Sequence, residues 1–145
     1  MRLGATDTID YRAETVEAYV RRLTGGQGFD VVFDTLGDQH LEESFQAARN
    51  GGQVVSTRAL TRLDLTPMHL KSLSLHVILM LLPLLTGTGR ERHGAILREV
   101  AALADAGKLR PLVDETRFTL ATAADAYRHL ESGAATGKVV VDITQ

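Results

Sequence analysis

The stretch Gly26-Gln27-Gly28-Phe29-Asp30-Val31-Val32-Phe33-Asp34-Thr35-Leu36-Gly37 decides the fold. Its centre is a continuous apolar run between glycines, and such runs belong to strands covered on both faces, as in a parallel sheet. Upstream, Arg12 to Leu23 sets Val16, Tyr19, Val20 and Leu23 at helical spacing, and Thr24-Gly25-Gly26 follows as the stop. Glycine ends helices because it enters the left-handed conformation without a Cβ clash. Before that helix, Thr8-Ile9-Asp10-Tyr11 is short, partly β-branched, and reads as a strand. Downstream, Thr35-Leu36-Gly37 is a loop, Asp38 an N-cap, and Leu41, Phe45 and Ala48 repeat at helical spacing up to Asn50-Gly51-Gly52. Val54-Val55-Ser56-Thr57 is the next strand. Strand, helix, strand, helix, strand is the order of a doubly wound α/β sheet.

The remainder is less regular. A polar stretch from Arg58 to Pro67 leads to a short helix near residues 68–72, and Leu75 to Leu82 is apolar enough to be strand or helix. Ile96, Leu97, Val100, Ala101 and Leu103 mark a helix over residues 93–106, with Gly107 as its stop. A strand over 109–118, a helix over 121–131 and a last strand over 139–143 complete the reading. No repeat or low-complexity tract is present.

Composition bounds the function classes. Of 145 residues, 44% are hydrophobic and 23% charged, the make-up of a globular chain. Sixteen Lys and Arg against eighteen Asp and Glu leave a formal charge of -2 with no basic stripe, which argues against nucleic acid. No apolar run reaches the roughly 20 residues that span a bilayer, so no membrane partner is expected, and the first residues carry no secretory signal. There is no cysteine, so disulfides, thiolate metal sites and thiol nucleophiles are excluded, in keeping with a cytoplasmic location. The five histidines lack the i, i+4 pairing of a zinc helix. No G-x-S-x-G nucleophile elbow occurs.

Several segments together resemble the medium-chain dehydrogenase/reductase superfamily, in its quinone-oxidoreductase-like and zinc-type alcohol dehydrogenase branch. They are Leu3-Gly4-Ala5-Thr6-Asp7 leading into Ile9-Asp10-Tyr11, the stretch from Gly26 to Gly37, Asn50-Gly51-Gly52-Gln53-Val54-Val55-Ser56, Ala106-Gly107-Lys108-Leu109-Arg110-Pro111, and Glu131-Ser132-Gly133 through Gly137-Lys138-Val139-Val140. They run in family order over nearly the whole chain. The resemblance implies a partial Rossmann-like sheet in residues 1–107, lacking its first strands, and a segment in 108–145 that returns to the catalytic domain. The glycine-rich fingerprint of the family would lie upstream of Leu3. Gly25-Gly26-Gln27-Gly28 does not replace it, since it follows a helix and precedes a strand, whereas a phosphate loop needs the opposite order.

The same resemblance implies an NADPH- or NADH-dependent oxidoreductase performing hydride transfer to a quinone, enone or carbonyl, with no zinc bound by this chain and little turnover in isolation. It places Tyr11 near the adenosine end of the cofactor, Asp34, Thr35, Leu36 and Gly37 beneath it, Ser56 and Thr57 near the nicotinamide ribose, and Gly137 and Lys138 in the closing segment of the cleft. Arg58 departs from the glycine-rich turn common there. No residue is assigned as a catalytic acid or base. A homodimer is expected through an edge strand near Leu75 to Leu82. Against these stand local roles: Tyr11 as an amphipathic cap, Asp34 as a cap of its own turn, Thr35 and Ser56 bonded to local backbone. Two other classes compete, a non-catalytic self-associating module and a methyltransferase-like domain, which requires an antiparallel C-terminal hairpin.

Overall fold

In the computed structural model, which describes residues 4–143, the chain forms two compact units, Met1–Thr86 and Gly87–Gln145. This is a division by packing; the expected handover at residue 108 concerns which residues serve the catalytic domain. Each unit has its own parallel strand pairing, and the α/β class holds.

In the first unit, α1 (Val16–Thr24) starts where the Thr15 hydroxyl accepts from the Ala18 amide at 3.3 Å, and it ends at Gly25, φ 63°. Then follow β1 (Phe29–Asp34), α2 (Gln39–Ala47), β2 (Ala48–Ser56), the short α3 (Thr66–Lys71), β3 (Ser74–Val77) and α4 (Leu82–Thr86). The three strands are parallel in the order β1-β2-β3, with Val54 opposite both Val32 and Leu75. Leu41, Phe45, Ala48 and Val54 form the buried core, and Val32, Met68, Leu73 and Leu75 pack against it. One face of the sheet is therefore covered by α2. The opposite face is bare: Val31 and Phe33 remain 57% and 60% exposed. A strand so apolar on both sides is built for cover on both sides.

The second unit holds α5 (Arg90–Asp105), β4 (Phe118–Thr119), a 3-10 turn over Leu120–Thr122, α6 (Ala123–Glu131) and β5 (Val141–Asp142), with β4 parallel to β5. The antiparallel hairpin that a methyltransferase-like domain requires is therefore not formed among the described residues.

Four readings are corrected. Residues 8–11 are not a strand: among the described residues they pair with no other strand, and a strand forms only with a partner. Asp38 does not cap α2 with its side chain; it sits at φ 52° and faces Arg58 at 3.6 Å instead. The strand over 109–118 shrinks to one bridge at Val113 and to β4, since the Asp114 side chain turns back onto the Thr116 amide. Residues 75–82 divide, strand up to Val77 and helix from Leu82. Leu3 and Met1 lie outside the described residues.

Candidate functional site at the carboxyl ends of β1 and β2

Parallel strands end together, so whatever follows β1 and β2 is gathered at one edge of the sheet, the usual ligand position in open α/β folds. There Asp34 pairs in register with Ser56. Asp34 is 6% exposed and Ser56 fully buried. The Ser56 hydroxyl donates to Asp34 Oδ2 at 2.6 Å, and the amides of Leu36 and Gly37 donate to Oδ1 at 3.1 and 3.0 Å. Burial by itself raises the Asp34 pKa, but the Ser56 hydroxyl and the Gly37 and Leu36 amides outweigh it and hold the carboxyl below its ordinary value. Every strong acceptor position on this carboxylate is used. Asp34 is thus the cap of its own turn, as its sequence position suggested, and not a free base.

That turn fixes Gly37 at φ 76°, where a Cβ would run into the carbonyl oxygen and side chain of Arg58. Arg58, which the sequence marked as a departure, packs over Gly37 and pins the loops after β1 and β2 together. The Thr57 amide donates to the Asp34 carbonyl at 3.2 Å, a third tie between the two strand ends. Thr35 and Leu36 point outward and are exposed, as is Thr57. Tyr11 is exposed in a turn, with the Arg12 guanidinium 5.6 Å from its ring centre. A cleft of about 220 Å³ lies beside these residues, lined by Tyr19, Phe33, Asp34, Thr35, Leu36 and His40. Drug-sized ligands fill about 300–1,000 Å³, so the cleft can be one wall of a dinucleotide site but not the whole.

The residues fit part of a nicotinamide dinucleotide. Leu36 offers an apolar surface, and the Thr35 and Thr57 hydroxyls make no hydrogen bond to another described residue. A pyrophosphate needs several free N–H groups at a helix N-terminus. The start of α2 does not supply them: the His40 and Leu41 amides bond to the Gly37 and Asp38 carbonyls, and the Leu36 and Gly37 amides are taken by Asp34. Among the described residues no group of three or more His, Asp or Glu is placed to hold a metal.

The second unit contains the other two expected residues. Gly137, φ 91°, lies flat on the Leu112 carbonyl, where a Cβ would collide. The Lys138 amide donates to Leu112 at 2.8 Å and its carbonyl accepts from the Asp114 amide at 3.0 Å, leaving the ammonium outside. Around them is a cluster that sequence reasoning missed. Asp114 is buried and accepts from the Thr136 amide at 2.7 Å and the Thr116 amide at 2.9 Å, and it faces His129 Nε2 at 3.1 Å. The Thr136 and Thr116 amides hold its pKa far below the usual carboxylate range. The sequence offered little signal for it, since Asp114 stands in the mixed polar run Asp114-Glu115-Thr116-Arg117.

Comparison with known proteins agrees with this layout. Residues 3–141 match the family described as zinc-binding dehydrogenase. An alcohol dehydrogenase superfamily protein from Novosphingobium aromaticivorans is 35% identical, with a TM-score of 0.86 over 98% of this chain and 44% of its own. The Escherichia coli quinone oxidoreductase, solved in complex with NADPH, is 28% identical at a TM-score of 0.78, covering 97% of this chain and 44% of its own. An NADPH-dependent alkenal/one oxidoreductase of Arabidopsis thaliana is 31% identical over 140 residues, which are 96% of this chain and 29% of that protein. The chain spans less than half the length of each. An unbroken match from residue 3 to residue 141, with the parallel strands of both units in place, makes this chain a member of the zinc-binding dehydrogenase family, within the alcohol dehydrogenase and quinone oxidoreductase branch of the medium-chain dehydrogenases/reductases.

Proposed function

We propose that the chain is the later part of the cofactor-binding region of an NADPH-dependent oxidoreductase acting on a quinone, enone or other activated carbonyl, and that it supplies one wall of the cofactor cleft. The observation that carries this is the Asp34-Ser56 lock, which spends its polar groups on shaping the loop and leaves Thr35, Leu36 and Thr57 facing outward. NADPH, when bound, supplies the hydride. The residues of this chain orient it and exclude water beneath it, with Tyr11 at the adenosine end. The Arabidopsis thaliana relative is NADPH-dependent and the Escherichia coli one was solved with NADPH, which favours that cofactor over NADH.

Asp34 is taken up by its own turn, and the α2 N-terminus offers no pyrophosphate cradle. The 145 residues alone are therefore expected to oxidise no NADPH with a simple quinone. Steady oxidation above the rate without protein overturns that reading.

Self-association belongs to the same proposal. β3 is an edge strand, and its last residue Val77 and the following Ile78, Leu79, Met80, Leu81 and Leu82 are all about half exposed or more. An apolar edge is a template for pairing. Light scattering should give a dimer mass at high concentration; a monomer mass at every concentration refutes it. Among the described residues no helix is long and apolar enough to cross a membrane.

A further inference from the structure

Three titratable side chains in the cleft beside β1 have no part in the Asp34-Ser56 lock: Tyr19 of α1, and His40 and Glu43 of α2. His40 Nδ1 lies 3.0 Å from Glu43 Oε2, about one turn along the helix. A carboxylate only accepts, so Nδ1 carries the proton and Nε2 of the neutral ring keeps its lone pair for an outside donor. The Ser44 hydroxyl does not compete for that nitrogen, because it donates to the His40 carbonyl at 2.8 Å. Nε2 and the second Glu43 oxygen bond to no other described residue, and both side chains are close to half exposed, within reach of a ligand. Tyr19 faces them from the other helix. Its ring is steadied by the Phe29 ring, 6.3 Å away between centres. Burial, and then the Glu43 carboxylate, push the Tyr19 hydroxyl above its ordinary pKa, so it remains a donor.

Charge decides what such a wall can take. The lining holds the Asp34 and Glu43 carboxylates and neither Lys nor Arg, and the amides at the start of α2 are already bonded. A phosphate would meet two like charges with no cation or open amide to offset them. Neutral hydroxyls fit instead: two donors on adjacent carbons match an imidazole nitrogen and a carboxylate oxygen held side by side on one helix face. Phe33 and Leu36, 60% and 61% exposed, add apolar surface to the same cleft. Its volume of about 220 Å³ suits a sugar with part of its base rather than a whole dinucleotide.

We propose that His40 Nε2 and the Glu43 carboxylate accept hydrogen bonds from the vicinal hydroxyls of a ribose, so that this cleft holds a sugar of the dinucleotide and excludes its phosphates. This rests on the cofactor reading given above and adds which part of the cofactor lies against α2.

The test uses the 145-residue chain, with NADPH, adenosine, nicotinamide riboside, the 2′,3′-dideoxy forms of both nucleosides and inorganic phosphate as probes. Glu43→Gln removes the charge and keeps the shape, His40→Ala removes the nitrogen, and Glu42→Gln removes an equal charge from α2 outside the cleft. Far-UV circular dichroism checks that each variant is folded, as expected for side chains this exposed. By calorimetry, NADPH affinity should fall on the order of ten-fold in Glu43→Gln and in His40→Ala and stay within about two-fold in Glu42→Gln. Amide chemical shifts over residues 40–44 should move with the nucleoside whose sugar lies here, and should not move with its dideoxy form or with phosphate. Unchanged NADPH affinity in Glu43→Gln or His40→Ala, an equal loss in Glu42→Gln, no shift with either nucleoside, or matching shifts with the dideoxy form or phosphate overturns the proposal while leaving the cofactor reading intact. Failure of the unaltered chain to bind NADPH overturns the cofactor reading and this proposal with it.

Discussion

Replacing Ser56 by alanine removes one donor from a buried carboxylate and changes nothing else of comparable size. The bond lost is the 2.6 Å one to Asp34 Oδ2, at a side chain with no solvent exposure. Hydrogen bonds to charged groups contribute about 1.5–3 kcal/mol. The Ser56 oxygen also accepts from the Arg58 amide at 3.1 Å, but Arg58 is exposed and water can take that place. Asp34 keeps its two backbone donors, so the loss should stay near 2 kcal/mol, within that same range. Urea unfolding followed by far-UV circular dichroism measures it, with Thr35→Ala as the exposed control, expected within about 0.5 kcal/mol of the parent. The pH dependence supplies a second check. The folded pKa of Asp34 is depressed, so its stabilisation is present above the unfolded value of about 3.9 and is lost as pH falls through the folded value. Ser56→Ala weakens that depression. The parent should lose more stability on acidification than the variant, and the two curves should converge. A penalty below about 0.5 kcal/mol at neutral pH, or one that stays constant down to the acid limit, refutes the view that this serine serves the carboxylate.

Gly37→Ala should cost about 2–4 kcal/mol, because φ 76° and the Arg58 carbonyl both oppose a Cβ; Gly25→Ala, left-handed but in open space, should cost only about 1 kcal/mol by the same assay. Lys71→Met should lose about 1–2 kcal/mol, since Nζ donates to the Phe45, Gln46 and Ala48 carbonyls at the end of α2; thermal melts with an isosteric change of charge would show it. Below about pH 4 both units should weaken, because Asp34 and Asp114 are both held below their unfolded pKa and must take up protons on acid unfolding. An acid melt in which the second unit persists unchanged to pH 2 or so contradicts the role given to Asp114.

The parts of the fold that were legible in the sequence are those whose partners lie within the chain. Phe29–Asp34 and the strand after Asn50-Gly51-Gly52 pair with each other, and α2 covers them, so periodicity and glycine punctuation sufficed. The α5 helix was equally clear, and Gly107 does follow it at φ 66°. Residues 8–11 have strand character without a neighbour, and a strand is a property of the pair rather than of the segment. The 109–118 segment failed for the opposite reason: a local side-chain bond from Asp114 competed with the extended run. In the site, the position of Asp34 at a strand end was readable, and so was its habit of capping the next turn. Its partner Ser56 is 22 residues away, and His129 lies 15 residues from Asp114. Such bonds depend on register and packing, which a single sequence does not encode at the level of residue type.

The central claim is that the outward-facing residues after β1 and β2 recognise a nicotinamide dinucleotide. Calorimetric titration of the chain with NADPH, alongside NADH and S-adenosylmethionine, tests it most directly. The account predicts binding of NADPH with a Kd of about 100 μM or tighter, roughly -5.5 kcal/mol, weaker binding of NADH and none of S-adenosylmethionine. No heat from NADPH with the folded chain, or tighter binding of S-adenosylmethionine, contradicts it.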